Sequence, residues 1–193
     1  MVNKNFYVCS YGGSGSTMLK RALRKYGIAT HIHSRKPPDN LEYVGREKGG
    51  KTYCEWFNGI TIPDNKLENY YVIYIYRNPS FSIPSRFKNP NHLKHVQIDE
   101  SIKLKDVLNS KTDLYKIREF YDNYTKPNEK RNYKIYCVKY EDIFDKQDEF
   151  SKLLGIGKLN MKNKSSRKNN KELDNIYSDL IDEMDKNDFI IIS

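Results

Sequence analysis

SYGGSGSTML, residues 10–19, joins a hydrophobic run to an amphipathic one. The run before it, Phe6–Ser10, is typical of a short buried strand, and the apolar residues after it recur at helical spacing. Gly12, Gly13 and Gly15 allow the backbone to turn tightly between the two elements. A strand, a glycine-rich turn and a helix in this order favour a phosphate-binding loop, because the amides that begin the helix point towards an anion.

The loop differs from that of a nucleoside triphosphatase. Its predicted phosphate-binding residues are Gly12, Gly13, Ser14, Gly15, Ser16 and Thr17. A triphosphatase loop reads GxxxxGK[ST], with a lysine that reaches the β- and γ-phosphates. Here Ser16 follows Gly15, which disfavours hydrolysis of ATP or GTP. A flexible turn that binds nothing is the alternative, and the flanking strand and helix favour phosphate binding over it.

Strands and helices alternate along the rest of the chain. Strands are predicted at Phe6–Ser10, Ile28–Ser34, Tyr70–Tyr76 and Tyr133–Tyr140. Helices are predicted from the glycine turn to a stop at Gly27, from Pro79, and over Leu114–Tyr124, Glu141–Leu154 and Leu173–Met184. This order predicts an α/β protein with a three-layer P-loop-like fold, in which helices flank a central, mainly parallel sheet. With 193 residues the chain is expected to form one domain, residues 1–193.

The net charge favours an anionic partner. The chain has 34 Lys and Arg against 25 Asp and Glu, which gives a formal charge of +9. A nucleotide, a sulfated or phosphorylated molecule, or nucleic acid fits such a charge. A solvated basic surface without a specific partner is the alternative that charge alone leaves open.

The cysteines and the first residues bear on the compartment. Cys9, Cys54 and Cys137 are odd in number and lie far apart, so neither a disulfide framework nor a metal site is predicted. The stretch MVNKNFYVCS has no apolar run long enough for a signal peptide or a membrane anchor. We therefore expect a soluble cytoplasmic protein without a membrane partner.

Three segments carry a family resemblance. YGGSGSTML, residues 11–19, resembles the 5′-phosphosulfate loop of sulfotransferases, [PG]-[KR]-S-G-[ST]-[ST]. YVIYIYRNPSFSIPSRF, residues 71–87, is similar to the family's 3′-phosphate segment, a strand followed by R-[DN]-P and by a serine eight positions after the arginine. YCVKYEDIFDKQDEFSKLLGI, residues 136–156, resembles the family's late strand with Y-E-D-[LI] and a helix that ends in [FL]-L-G-[IL]. The segments occur in the family's order.

The resemblance is closest to heparan and carbohydrate sulfotransferases, and it implies a function. Such enzymes bind 3′-phosphoadenosine 5′-phosphosulfate (PAPS) as co-substrate and move its sulfuryl group to an acceptor hydroxyl or amine, of a carbohydrate or a small molecule, without a metal. By the motif spacing, Arg77 and Ser85 would bind the 3′-phosphate. NKSSRK, residues 163–168, is similar to the family's late basic loop, which implies nucleotide contacts for Lys164, Arg167 and Lys168. A solvated loop is the other interpretation of that segment.

His31 and His33, in THIHSRK, are the candidate catalytic bases. The context of His31 is similar to the H-I-x-[ST] context of the catalytic histidine in uronosyl heparan sulfotransferases, and His33 shares a strand face with it. An ordinary polar role at the strand end is the alternative for either. His92 and His95 are expected to be exposed, and Trp56 is expected either to line an acceptor pocket or to pack in the core.

Position 13 departs from the family. The family usually carries Lys or Arg two residues before the loop's last glycine, where this chain has Gly13. We therefore expect a basic side chain from outside the loop to replace that cation, first Arg35 or Lys36 and second the basic segment 163–168. Without one, the protein would be slow or inactive. A non-catalytic nucleotide-binding or nucleic-acid-binding protein is the alternative function, with nucleic acid the less favoured partner, and a small-molecule kinase is a third possibility.

Overall fold

The computed structural model describes residues 4–44, 56–87, 93, 96–163 and 169–193, apart from the side chains of residues 57 and 58. The strands are β1 (Lys4–Cys9), β2 (Gly27–Ile32), β3 (Glu42–Val44), β4 (Trp56–Thr61), β5 (Tyr70–Tyr76), β6 (Ile135–Lys139) and β7 (Ile190–Ile192). The α-helices are α1 (Ser16–Leu23), α2 (Pro79–Arg86), α3 (Leu104–Ser110), α4 (Ile117–Thr125), α5 (Gln147–Leu153), α6 (Lys171–Ile176) and α7 (Ser178–Lys186). A 3-10 helix, Asp64–Asn69, precedes β5.

A five-stranded sheet in the order β2-β1-β5-β6-β7 forms the centre of the fold. The first four strands pair in parallel, and β7 pairs with β6 antiparallel. Strands β3 and β4 form a separate antiparallel pair. Because β1, β5 and β6 are parallel neighbours, the loops that follow their carboxyl ends meet at one edge of the sheet.

Helices cover both faces of the sheet. Alternate residues of β1 belong to two hydrophobic clusters, with Phe6 and Val8 in one and Tyr7 and Cys9 in the other. The first cluster packs against α1 and α5, and the second packs against α4, α6 and α7. The predicted three-layer α/β fold is therefore confirmed.

Several predicted helices differ in the structure, and the clearest cases are those expected over Glu141–Leu154 and Leu173–Met184. The helix expected from Glu141 begins only at Gln147, since hydrogen-bonded turns precede it, with the amides of Asp145 and Lys146 donating to the carbonyl oxygen of Asp142. The last helix is divided at Tyr177, whose φ of −107° ends α6. The Tyr177 hydroxyl donates to Asp113 Oδ1 at 2.8 Å. A tertiary hydrogen bond thus lies where periodicity alone predicted one continuous helix.

Other element bounds also differ from expectation. Gly27 was predicted to stop the first helix, but α1 ends at Leu23 and Gly27 begins β2. Strand β2 ends at Ile32, so His33 lies beyond it. Five elements were not predicted, namely the 3-10 helix, α3, β3, β4 and β7. The strands that were predicted well are buried on both faces and therefore show as hydrophobic runs in the sequence. Strands β3 and β7 have only three residues each, which is too short for such a pattern.

Cys9 and Cys137 are free thiols inside the fold, and both are fully buried. Burial raises the pKa of each thiol, so both stay protonated and unreactive at neutral pH. Cys54 lies outside the described residues. None of the helices in the described ranges combines the length and the apolar character needed to cross a membrane.

Candidate functional site

The loop between β1 and α1 has the backbone conformation that its glycines predict. Gly12, Gly13 and Gly15 have φ angles of 113°, 74° and 80°. This left-handed region disfavours residues that carry a Cβ. Gly15 is the N-cap of α1, an eight-residue helix. The first amides of a helix have no partner within the helix and favour an anion.

A cavity of about 900 Å³ opens beside this loop, a volume within the range of small-molecule sites. Six of the residues predicted to bind the nucleotide line it: Gly13, Gly15, Ser16, Thr17, Arg77 and Ser85. Gly12 and Ser14 belong to the loop but are not among its lining residues, and Ser14 is only 2% exposed. The structure therefore brings most of the predicted nucleotide site together around one opening.

Arg77 and Ser85 reach the cavity from the segment after β5. The guanidinium carbon of Arg77 lies 4.3 Å from the centre of the Tyr140 ring. Its Nη1 donates to the carbonyl oxygen of Gly13 at 3.5 Å, and its Nε lies 3.9 Å from Glu141 Oε1. These contacts hold a planar cation next to the glycine loop, in a place where it can donate two hydrogen bonds to a phosphate.

Several residues of the cavity were missed in the sequence analysis. They are Met18, Arg21, Ala22, Tyr140, Asn160, Met161 and Lys162. Arg21 follows Thr17 by four positions, so the helical repeat alone was enough to place it on the face of α1 next to the loop. The segment of Asn160 to Lys162 has no periodic pattern and gave no such signal. Of the described residues that line the cavity, three are basic and none is acidic.

The two candidate histidines lie beside the loop but do not line the cavity. His31 Nε2 lies 2.6 Å from Ser16 Oγ, and Ser10 Oγ donates to Ser16 Oγ at 2.9 Å. His33 Nδ1 lies 2.8 Å from the carbonyl oxygen of Ser10, to which it donates. The two imidazole rings are in contact, with centroids 4.3 Å apart. His31 therefore reaches the cavity through the hydroxyl of Ser16.

Burial lowers the pKa of His31, and together with the smaller effects of the Lys20 and Arg86 charges it brings this pKa to about 4. At neutral pH the imidazole is therefore uncharged. In this form Nε2 can accept the Ser16 proton, while Ser16 Oγ accepts the proton of Ser10. The geometry makes a short hydrogen-bonded chain, Ser10 to Ser16 to His31.

We expect the protein to lose stability between pH 6.5 and pH 4, in part because of His31. An unfolded histidine has a pKa of about 6.5, whereas folded His31 has a pKa of about 4. The unfolded chain therefore binds the proton first, and the free energy of unfolding falls as the pH falls, by about 2 kcal/mol from this group. Urea unfolding at pH 7.5 and pH 4.5 should show a smaller loss in His31→Gln than in the wild type. Equal losses in the two proteins would contradict the assignment.

The missing loop cation has a steric explanation. A Cβ at Gly13 would lie 2.4 Å from the carbonyl oxygen of Ser82 in α2, where no side chain fits. A Cβ at Gly12 would lie 2.5 Å from Cδ of Arg86. Helix α2 thus occupies the space that the side chain of a lysine or an arginine at position 13 would need.

The predicted replacement cations are not at the cavity. Arg35 donates from Nε and Nη2 to the carbonyl oxygen of Val96, at 3.1 and 2.8 Å, and pairs with Glu119 at 3.6 Å. Lys36 is exposed, and neither residue is among the cavity's lining residues. The structure therefore does not bring the first-choice cations to the loop. Lys164, Arg167 and Lys168 lie outside the described residues.

Trp56, His92 and His95 are the remaining residues singled out in the sequence. Trp56 is 8% exposed and its ring packs edge-on against Tyr7 at 5.7 Å, so it belongs to the core and not to an acceptor pocket. His92 and His95 lie outside the described residues. Within the described part of the chain, no group of three or more His, Cys, Asp or Glu residues could hold a metal ion.

Comparison of the chain with protein-family models, with curated proteins and with solved structures found no match.

Proposed function

We propose that this protein binds PAPS and transfers its sulfuryl group to an acceptor hydroxyl or amine. One observation carries the proposal: Arg77 and Gly13, 64 residues apart in sequence, meet at one cavity together with Ser85. These are the positions that the sulfotransferase motifs assign to the two ends of the nucleotide. Residues from two separate motif segments thus lie at the same cavity. This supports binding of a 3′-phosphorylated nucleotide over the alternative that the glycine segment is only a turn.

The cavity offers a complementary group for each part of this ligand. The amides that begin α1 and the hydroxyl of Thr17 suit the 5′-phosphosulfate. Arg77 and Ser85 suit the 3′-phosphate, by charge-assisted hydrogen bonds. Met18, Ala22 and Met161 add apolar surface for the adenine ring of the nucleotide.

The proposed reaction is a direct displacement at sulfur. The acceptor oxygen or nitrogen forms a bond to sulfur, and the bridging S–O bond breaks, so that 3′-phosphoadenosine 5′-phosphate (PAP) leaves with the bonding electrons. The acceptor's proton moves to Ser16 Oγ while Ser16 passes its own proton to His31 Nε2, 2.6 Å away. The chain's own task is to hold the donor in line and to receive this proton.

We expect Arg77→Ala to weaken PAP binding by about 30-fold to 150-fold, the equivalent of about 2 to 3 kcal/mol. The reason is the loss of a cation held against the loop and Tyr140. Titration calorimetry with PAP measures the effect. Arg24→Ala is the matched control, because Arg24 is an exposed arginine at the end of α1 outside the cavity lining. Equal affinities of the two variants would contradict the assignment of Arg77.

A non-catalytic nucleotide-binding protein is the second candidate. It is favoured by Gly13, because the loop has no lysine or arginine of its own at that position. Incubation with radiolabelled PAPS and a panel of acceptors separates the two functions. Turnover supports the sulfotransferase, whereas PAP binding without turnover supports the binding protein.

A further inference from the structure

The glycine loop has a buried arginine next to it. Arg86 is the last residue of α2 and is only 6% exposed. A Cβ at Gly12 would lie 2.5 Å from Cδ, 2.7 Å from Nε and 3.0 Å from Cζ of Arg86. The side chain therefore runs along the backbone of Gly12 and occupies the space that a Cβ at position 12 would need.

Gly12 and Gly13 together let α2 pack against the loop. Gly13 admits the backbone of Ser82, and Gly12 admits the side chain of Arg86 one turn later. The same packing that excludes a cation at position 13 thus brings a different cation to the neighbouring residue. The contact between Gly12 and Arg86 depends on the tertiary packing of α2 and has no signal in the sequence.

The charge of Arg86 acts on this region. Burial lowers the pKa of its guanidinium to about 10, so the group remains a cation at neutral pH. This charge is one of the causes that lower the pKa of His31, and it partly opposes the burial that raises the pKa of Tyr11. Because Arg86 is buried, solvent and salt screen its field less than the field of an exposed side chain such as Arg21.

We propose that Arg86 supplies, through the backbone of Gly12, the positive charge that position 13 lacks. Arg86 is not one of the cavity's lining residues, so it is a positioning residue that acts through the loop and its field. An anion on the loop partly offsets the cost of a buried guanidinium, and the guanidinium in turn stabilises the anion. The inference rests on the proposed function only for the identity of that anion.

The test compares Arg86→Lys, which keeps the charge, with Arg86→Met, which keeps much of the volume. Inorganic pyrophosphate and PAP are titrated separately into each variant and into the wild type. We expect Arg86→Met to lose about tenfold or more in affinity for both anions, and Arg86→Lys to stay within about threefold. By NMR, the pKa of His31 should rise in Arg86→Met and stay near its wild-type value in Arg86→Lys.

Two results would overturn the inference. One is wild-type affinity for both anions in Arg86→Met, and the other is an equal loss in Arg86→Lys, which would mean that shape and not charge matters. If Arg86→Met does not fold, the Arg86 Nε–H resonance of the wild type serves instead: it should shift on pyrophosphate binding, and an unchanged resonance contradicts the proposal. Pyrophosphate binding that depends on Arg86, with no binding of PAP, would refute the proposed function and keep the role of Arg86.

Discussion

His31→Ala is expected to lower the rate of sulfuryl transfer by about 10² to 10⁴, the typical effect of removing a positioned general base. His31 Nε2 lies 2.6 Å from Ser16 Oγ, and Ser16 lines the cavity. Because the pKa of His31 is about 4, the imidazole is already neutral at pH 7. The wild-type rate should therefore stay level from pH 7.5 to pH 5.5. Release of PAP from saturating PAPS, with an acceptor found by radiolabel screening, measures both effects.

His33→Ala is the matched control for this prediction. His33 is in contact with the His31 ring but hydrogen-bonds to the carbonyl oxygen of Ser10. PAP affinity should remain near the wild-type value in both variants, so that the loss lies in the chemical step. A loss in His33→Ala alone would exchange the two roles, and full activity in both variants would mean that the base lies elsewhere.

Gly13→Ala is expected to lower the free energy of unfolding by about 3 kcal/mol. Gly13 has a φ of 74°, where a Cβ costs about 1 to 2 kcal/mol. That Cβ would also lie 2.4 Å from the backbone oxygen of Ser82, and such overpacking typically costs about 1 to 3 kcal/mol. Urea denaturation followed by circular dichroism measures the loss.

Gly59→Ala separates the two causes. Gly59 has a φ of 84°, close to that of Gly13, but its Cβ would meet no atom within 4 Å. This control should lose only the backbone part, about 1 to 2 kcal/mol. If both variants lost the same amount, the close packing of α2 on the loop would be wrong, and with it the steric explanation for the missing cation.

The central strands could be predicted well from the sequence. Tyr70–Tyr76 was predicted with the bounds that β5 has, because a run of buried β-branched and aromatic residues has few other interpretations. The helix predicted from Glu141 begins only at Gln147, because the pattern of apolar residues was misleading there. Ile143 is fully buried in a turn, and an apolar residue in a buried turn repeats the helical pattern without forming a helix.

The candidate site could be predicted in part. Motif spacing predicted that the glycine loop, Arg77 and Ser85 come together at one site, because Arg77 follows β5 directly and Ser85 lies eight positions later in α2. Arg86 was present in the same quoted segment, but its importance depends on how α2 packs on Gly12. Such a contact joins distant parts of the chain and leaves no periodic pattern, so the sequence predicted the replacement cation at Arg35 or Lys36, or in the segment 163–168, and not at Arg86.

The affinity of the wild-type protein for PAP, compared with that for adenosine 5′-monophosphate, tests the central claim most directly. The two nucleotides differ only in the 3′-phosphate, for which Arg77 and Ser85 are proposed as partners at the cavity wall. Titration calorimetry at one fixed salt concentration should show PAP binding tighter by about 30-fold or more. Equal affinities for the two nucleotides, or no binding of either, would contradict the account.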